Sequence, residues 1–328
     1  MPQTETALAE DEARPPGRRL AVDLARGAAV VAMVIYHFAW DLSQLGFVAT
    51  DIQGHLGWSL FARLVAASFL ILSGVSLVLA HGRALRPAAF LRRLAVLAAA
   101  AAAVSGATYL VFPDSFIFFG ILHNLVLSSL IALPFLRAPT AVTGLAAVAL
   151  LATPLLVSTS VFDSPALAPL GLGRTVPVTN DYVPVFPWTG FVLAGMAGWR
   201  LAGARAGRAG PARPGAAARL LAGLGRRSLL VYLLHQPVLF GALFGLRQVL
   251  GPDLAAEARP FMRHCVASCE AAGTPGPTCR AACTCTVEEL RQDGLWRKVL
   301  AGRPTAEEFS QAELTAQLCL RRATSPGQ

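Results

Sequence analysis

The sequence predicts an all-α, polytopic membrane helical bundle of about seven transmembrane helices, followed by a small cysteine-rich helical C-terminal module. Three observations carry this. The 328 residues are 55% hydrophobic and only 14% charged, where a soluble domain carries about a quarter charged residues. The apolar residues fall in blocks of about 20, the length that crosses roughly 30 Å of hydrocarbon. All six cysteines lie after the last apolar block.

Seven apolar blocks define the expected spans: about 22–44, 58–80, 94–112, 116–136, 139–160, 183–201 and 228–250. Helices are expected because a backbone exposed to lipid must satisfy its own hydrogen bonds. The chain carries a formal charge of +9, and Lys298 is its only lysine. Such a balance can mark a nucleic-acid binder. Here the arginines sit in short loops between apolar blocks, which is a topology signal, and no nucleic acid is expected. Arg14, Arg18, Arg19, Arg83, Arg86, Arg92, Arg93, Arg137, Arg200, Arg205, Arg208, Arg213, Arg219, Arg226 and Arg227 fall on one side of the expected bilayer. Only Arg174 falls on the other, a tally of 15 to 1. The N-terminus is therefore expected in the cytoplasm, and an odd number of spans puts the C-terminus outside.

Three regions follow. Residues 1–18 form an acidic tail (Glu5, Glu10, Asp11, Glu12) without a signal-peptide hydrophobic core, expected as disordered and cytoplasmic. Residues 19–250 are the membrane domain, with a flexible Gly/Ala/Arg/Pro linker over 203–218. Residues 251–328 are the tail module. Cys265 and Cys269 are i,i+4 neighbours, as are Cys279 and Cys283, so each pair lies on one helix face. Gly273, Pro275, Gly276 and Pro277 make the turn between them. Two helices stapled by Cys265–Cys283 and Cys269–Cys279 follow, leaving Cys285–Cys319, although six cysteines permit 15 connectivities. The rival is a zinc or copper site built on Cys283, Cys285 and His264. Disulfides imply an oxidising compartment. Thr305 and Glu308 have the spacing of a capping box opening a last helix.

Polar residues at membrane depth are costly and therefore informative. Arg26 and His37 are eleven residues apart, about three turns and about 16 Å along one helix face. Asp23 and Asp41 extend that stripe at either end. For Arg26 the plain alternative is snorkelling to the interface, paired with Asp23. For His37 it is a buried pair with Asp41. The functional reading makes Asp41 the residue that orients His37 as a general base. Further polar groups are Arg63 on the second span, His123 and Asn124 on the fourth, and His235 and Gln236 on the seventh, next to Pro237. Three histidines on three spans point to a shared cavity. Pro184 and Pro187, between Tyr182 and Trp188, predict an irregular entry to the sixth span.

The segments Asp23-Leu-Ala-Arg26-Gly27, Tyr36-His37-Phe38-Ala-Trp40-Asp41, Phe119-Gly120-Ile-Leu-His123, Asp181-Tyr182-Val-Pro184-Val-Phe-Pro187-Trp188 and Gly225-Arg-Arg-Ser228-Leu resemble the bacterial DUF1624 family. That family is related to the catalytic domain of heparan-alpha-glucosaminide N-acetyltransferase. Arg26-x10-His37, Leu72-Ser73-Gly74 and Tyr232-Leu-Leu-His235-Gln-Pro237 are also similar to motifs of membrane acyltransferase-3 proteins. The resemblance covers residues about 19–250 and leaves the cysteine tail outside. It implies transfer of an acetyl group from cytosolic acetyl-CoA to an amine or hydroxyl of a sugar or cell-envelope glycan, with no metal, in a bacterial inner membrane. His55-x-x-Trp58 resembles the active-site segment of the lysosomal relative, which has Asn at the position of His37. His37 and His55 thus both stand as the base, with His37 preferred and Asp41 beside it. Arg26, Asp23, Arg63, His123, Asn124, Tyr182, Trp188, His235 and Gln236 are the expected substrate-binding groups. A transporter or an inactive membrane scaffold is the alternative, although no inverted repeat is visible.

Overall fold

The computed structural model describes residues 16–48, 50, 52, 54–203, 215–250, 254–300 and 304–325. Residues 1–15 of the expected tail and residues 204–214 of the expected linker lie outside them, with Arg14, Arg205, Arg208 and Arg213. The described residues form helices α1 (Pro16–Gln44), α2 (Leu56–His81), α3 (Pro87–Val111), α4 (Ile121–Ile131), α5 (Thr140–Leu156), α6 (Val185–Gly203), α7 (Ala216–Arg226) and α8 (Ser228–Leu250). The tail adds α9 (Leu254–Ala271), α10 (Gly276–Gln292), α11 (Trp296–Leu300) and α12 (Ala306–Thr324). No strand occurs among the described residues, only one isolated bridge between Phe119 and Tyr182.

Among the described residues four helices are long and apolar enough to cross a membrane: Leu20–Gln44, Leu56–His81, Pro87–Val111 and Ser228–Val249. Each holds an 18-residue stretch with at most two charged residues, and α3 opens with Pro87 in its first turn. The expected fifth span yields the 17-residue α5, and the sixth yields α6, whose entry breaks from helical geometry at Phe186. The expected fourth span departs most. Residues 116–120 are not helical, and α4 has only 11 residues. Pro134 then closes the segment in a short 3₁₀ turn, Pro134–Leu136. Two further expectations are corrected. α1 already begins at Pro16, inside the region read as tail, and α7 begins at Ala216, inside the region read as linker. Pro16 sits at the first position of α1, which proline favours, the alanine run 216–218 favours helix in α7, and Ala222 and Gly225 give α7 a buried face.

The backbone between α3 and α4 is satisfied by a second extended segment. Asn180 N donates to Ser115 O at 2.9 Å, and Val183 N donates to Phe119 O at 3.2 Å. Non-helical backbone at apolar depth needs such partners. α2 and α6 pack at glycine level. A Cβ on Gly74 would strike the Val192 carbonyl, and one on Gly195 would strike the Ile71 carbonyl. Small residues at such crossings let helix backbones meet. Arg200 of α6 donates to the carbonyls of Phe135, Leu136 and Ala138 at 2.8–3.0 Å, closing the turn after α4. The buried core around this crossing is Leu70, Leu77, Val192, Leu193 and Met196.

The chain divides into two compact units: residues 1–38 with 53–239, and residues 39–52 with 240–328. In the second, Cys265 is joined to Cys283, Cys269 to Cys279 and Cys285 to Cys319. This is the pairing expected from the i,i+4 spacing, and it places Cys283 and Cys285 in separate bridges, so neither thiol remains for the rival metal site. Leu290, Leu295 and Trp296 form its small apolar core, with Arg291 stacked 5.1 Å from the Trp296 ring. Thr305 and Glu308 form the expected capping box at α12. Lys298 pairs with Glu308, and Arg322 with Glu289.

Gly74→Val should destabilise the detergent-solubilised protein by about 1–3 kcal/mol. Gly106→Ala, on α3 with nothing near its Cβ position, should leave the thermal midpoint unchanged. A maleimide reagent should label no cysteine in denatured, unreduced protein and all six after reduction, read as mass steps.

Candidate active site

A cavity of about 400 Å³ opens among α1, α2, α3, α4 and α8. Arg26, Arg92 and Arg93 line one part of it with Ser73 and Ser228, and Phe69, Leu97, Leu122 and Leu125 supply apolar wall. The arginines are held by short polar side chains of α2. Arg26 bonds Ser76, and Arg93 donates to Ser73 at 3.2 Å. Asp23 lies 3.8 Å from Arg26 and 3.7 Å from Arg226. The approach beside Arg26 that Gly27 allows is made by α7. A Cβ on Gly27 would strike the Leu221 carbonyl, and one on Gly225 the Asp23 carbonyl. Three guanidinium groups thus face one cavity with one carboxylate close by. Such an excess of charge suits a polyanion, which arginine grips through paired hydrogen bonds.

Tyr232 of α8 also lines the cavity. Its carbonyl is 2.7 Å from His235 Nδ1, one turn further along α8. The His235 ring meets His37 of α1 at 4.8 Å between centroids. His235 Nε2 is buried and has no hydrogen-bond partner among the described residues. Tyr36 packs edge-on to His37 at 5.4 Å and lies 6.4 Å from Trp58. Two of the three expected histidines therefore meet, and Tyr232 links them to the cavity wall. Asp41, one turn after His37 on α1, is fully buried. Gln236 follows His235 and is half-buried.

The other candidates lie elsewhere. His123 belongs to a separate network: its Nε2 is 3.2 Å from Ser105 Oγ, and its Nδ1 accepts from Gly120 N at 3.2 Å. Asn124 is fully buried, donates to Pro184 O at 2.9 Å and accepts from Ser128 at 2.8 Å. Ser128 in turn meets Thr189 at 2.8 Å. Tyr182 donates to Ala168 O at 2.6 Å, and Trp188 packs on Phe191 and the α2–α6 core. These contacts tie the irregular segments to the bundle. His55 is exposed and caps α2, accepting from Gly57 N at 3.2 Å. Arg63 is exposed on α2.

Asp181, named in a family-like segment but not among the expected site residues, caps the start of α4. Its Oδ2 accepts from Ile121 N, the first residue of α4, at 2.9 Å. Gly120 leaves room for it, since a Cβ there would overlap the carboxylate. Burial pushes its carboxyl up to about 6, against the opposing pull of the Ile121 N–H. The available signal was its position at the head of the proline-rich entry to α6. Tyr36 and Tyr232, named in the family-like motifs beside His37 and His235, were not among the expected site residues, because aromatic residues in a span look like packing.

Asn124→Leu should cost about 1–3 kcal/mol by orphaning the buried Pro184 carbonyl, read as a lower thermal midpoint.

A family model described as heparan-alpha-glucosaminide N-acetyltransferase, catalytic, matches residues 18–237. No curated protein and no solved structure matches the chain. The match takes in the arginine-lined cavity, the histidine pair and Asp181, and ends at Pro237 before the cysteine tail. With more than half of its length in that match, the chain is a membrane protein of the heparan-alpha-glucosaminide N-acetyltransferase catalytic-domain family.

Proposed function

We propose that this protein moves an acetyl group from cytosolic acetyl-CoA to an amine or hydroxyl of a sugar or cell-envelope glycan, from within a bacterial inner membrane. The observation that carries the reading is the contiguity of two unlike sites. The arginine-lined cavity touches Tyr232, and Tyr232 touches the His37–His235 pair. The phosphates of CoA suit Arg26, Arg92 and Arg93, and the pantetheine arm suits the apolar walls. The thioester would then reach toward the histidines.

In the reaction the acceptor's N–H or O–H attacks the thioester carbon, the C–S bond breaks, and CoA leaves as the thiol. His37 takes the acceptor's proton, with His235 against its ring and Asp41 one turn away. A positioned base of this kind contributes about 10²–10⁴-fold. His55, exposed at the head of α2, is the weaker choice. Seven crossings, including the shorter α4, α5 and α6, would put the N-terminus in the cytoplasm and the disulfide-bonded residues 251–328 in the periplasm, beyond a transferase domain of residues 19–250. The arginine distribution and the three disulfides support that orientation independently.

With labelled acetyl-CoA and membrane glycans, His37→Ala should lower transfer by about 100-fold or more while the protein stays folded in membranes. Full activity in that variant, with loss in His55→Ala, would move the base role to His55. Arg93→Ala should weaken acetyl-CoA binding by about 10-fold or more, measured as ligand protection against thermal unfolding. Absence of any acetyl-CoA protection in the unaltered protein would sink the proposal in favour of a transporter or scaffold.

A further inference from the structure

The tautomer of His235 follows from its contacts. Its Nδ1 lies 2.7 Å from the carbonyl oxygen of Tyr232. A carbonyl oxygen only accepts, so Nδ1 carries the hydrogen, and Nε2 of the neutral ring carries the lone pair. That Nε2 is buried and has no hydrogen-bond partner among the described residues. A buried acceptor without a donor is costly, so this nitrogen calls for a donor in the working protein. The ring that meets it is His37, 4.8 Å away between centroids and inclined at 64°, edge against face. The Tyr232 ring is also near His235, at 5.9 Å. It is engaged elsewhere, packing on the cluster of Leu97 and Leu122 and lining the arginine-bearing cavity.

We propose that His235 is the positioning residue for His37: its Nε2 accepts the N–H of one His37 nitrogen, which leaves the other His37 nitrogen bearing the lone pair that meets the acceptor. This rests on the acetyl-transfer reading above and adds to it. An imidazole acts as a base only through a nitrogen with a free lone pair, and the hydrogen bond made by its other nitrogen sets which one that is. A turn of the His37 ring about its side-chain bonds converts the edge contact into that N–H···N bond. Spacing along α1 gave this task to Asp41, whereas the ring contact gives it to a histidine of another helix. In the reaction a single proton moves twice. His37 takes it from the acceptor's N–H or O–H as that atom bonds the thioester carbon, and returns it to the departing sulfur as the C–S bond breaks. Acceptor and acetyl-CoA thus give acetylated acceptor and CoA thiol. Between the two transfers the positive charge of the His37 ring is shared with His235 and, through Nδ1–H, with the Tyr232 carbonyl.

His235→Phe keeps an aromatic ring against His37 and removes the lone pair. The full-length protein is assayed in membranes with labelled acetyl-CoA and membrane glycans. His235→Phe should lower kcat by at least about 10-fold, a part of the 10²–10⁴-fold that a positioned base supplies. KM for acetyl-CoA and acetyl-CoA protection against thermal unfolding should not change. His235→Gln, whose amide sets an oxygen at the Nε2 position, should recover most of the lost kcat. In a His37→Ala background His235→Phe should cost nothing further, because residues that act as a unit are not additive. If the Phe variant does not fold, His235→Asn, whose amide sits at the Nδ1 position and leaves Nε2 unreplaced, takes its place in the same comparisons. A full kcat without the lone pair, a Gln variant as slow as the Phe variant, or losses that multiply in the double variant each overturn the assignment while leaving acetyl transfer intact. An unaltered protein that transfers no acetyl group overturns the transferase reading and this inference with it.

Discussion

Holding several guanidinium groups inside an apolar bundle is the constraint on which the rest of this structure turns. Charge at such depth is expensive unless it is paired or opens to a polar cavity. Arg26 is paired with Asp23, and both Arg26 and Arg93 open to the cavity. Each is bonded to a serine of α2, Ser76 and Ser73 respectively, and both line one cavity. α2 is thus the spine of the first unit. Its serines fix arginines from α1 and α3, while Gly74 between them lets the backbone of α6 come into contact. On the far side of Arg26, Gly27 and Gly225 do the same for α1 and α7, and Asp23 is shared between Arg26 and Arg226. The polar site and the closest helix packing are therefore one arrangement.

Irregular backbone does the work at the other end. The segments around Phe119 and Tyr182 bond to each other instead of continuing a helix. That pairing brings Asp181 to the start of α4 and leaves a short helix where a full span would have carried its first residues past the cavity. Asn124, Ser128 and Thr189 then stitch α4 to the entry of α6 with no bonding group of Asn124 left to lipid. A membrane protein tolerates such backbone only where it is buried in protein or lines a cavity. Here it does both.

The tail follows different rules. Its core is a few residues around Leu290 and Trp296, too small to hold α9–α12 by apolar burial alone. Three disulfides supply the constraint instead.

What could be read from the chain alone was what depends on near neighbours. The long spans α1, α2, α3 and α8 were legible because a mainly apolar run of that length needs no partner to be a helix in lipid. The cysteine pairing followed from i,i+4 spacing, and the Asp23–Arg26 contact from i,i+3 spacing on one helix. The truncation of the fourth span was not legible, because it depends on residues 60 positions away that satisfy its backbone. Neither was the meeting of His37 with His235, nor the diversion of His123 to Ser105. Helical periodicity says which face a side chain is on, and only the packing of other helices says what that face meets. The sequence by itself determined a helical membrane chain with a polar first span and an oxidised tail. The tertiary structure decided which of those polar groups share a site, because a hydrogen bond or a ring contact between helices is set by distances that no spacing along the chain encodes.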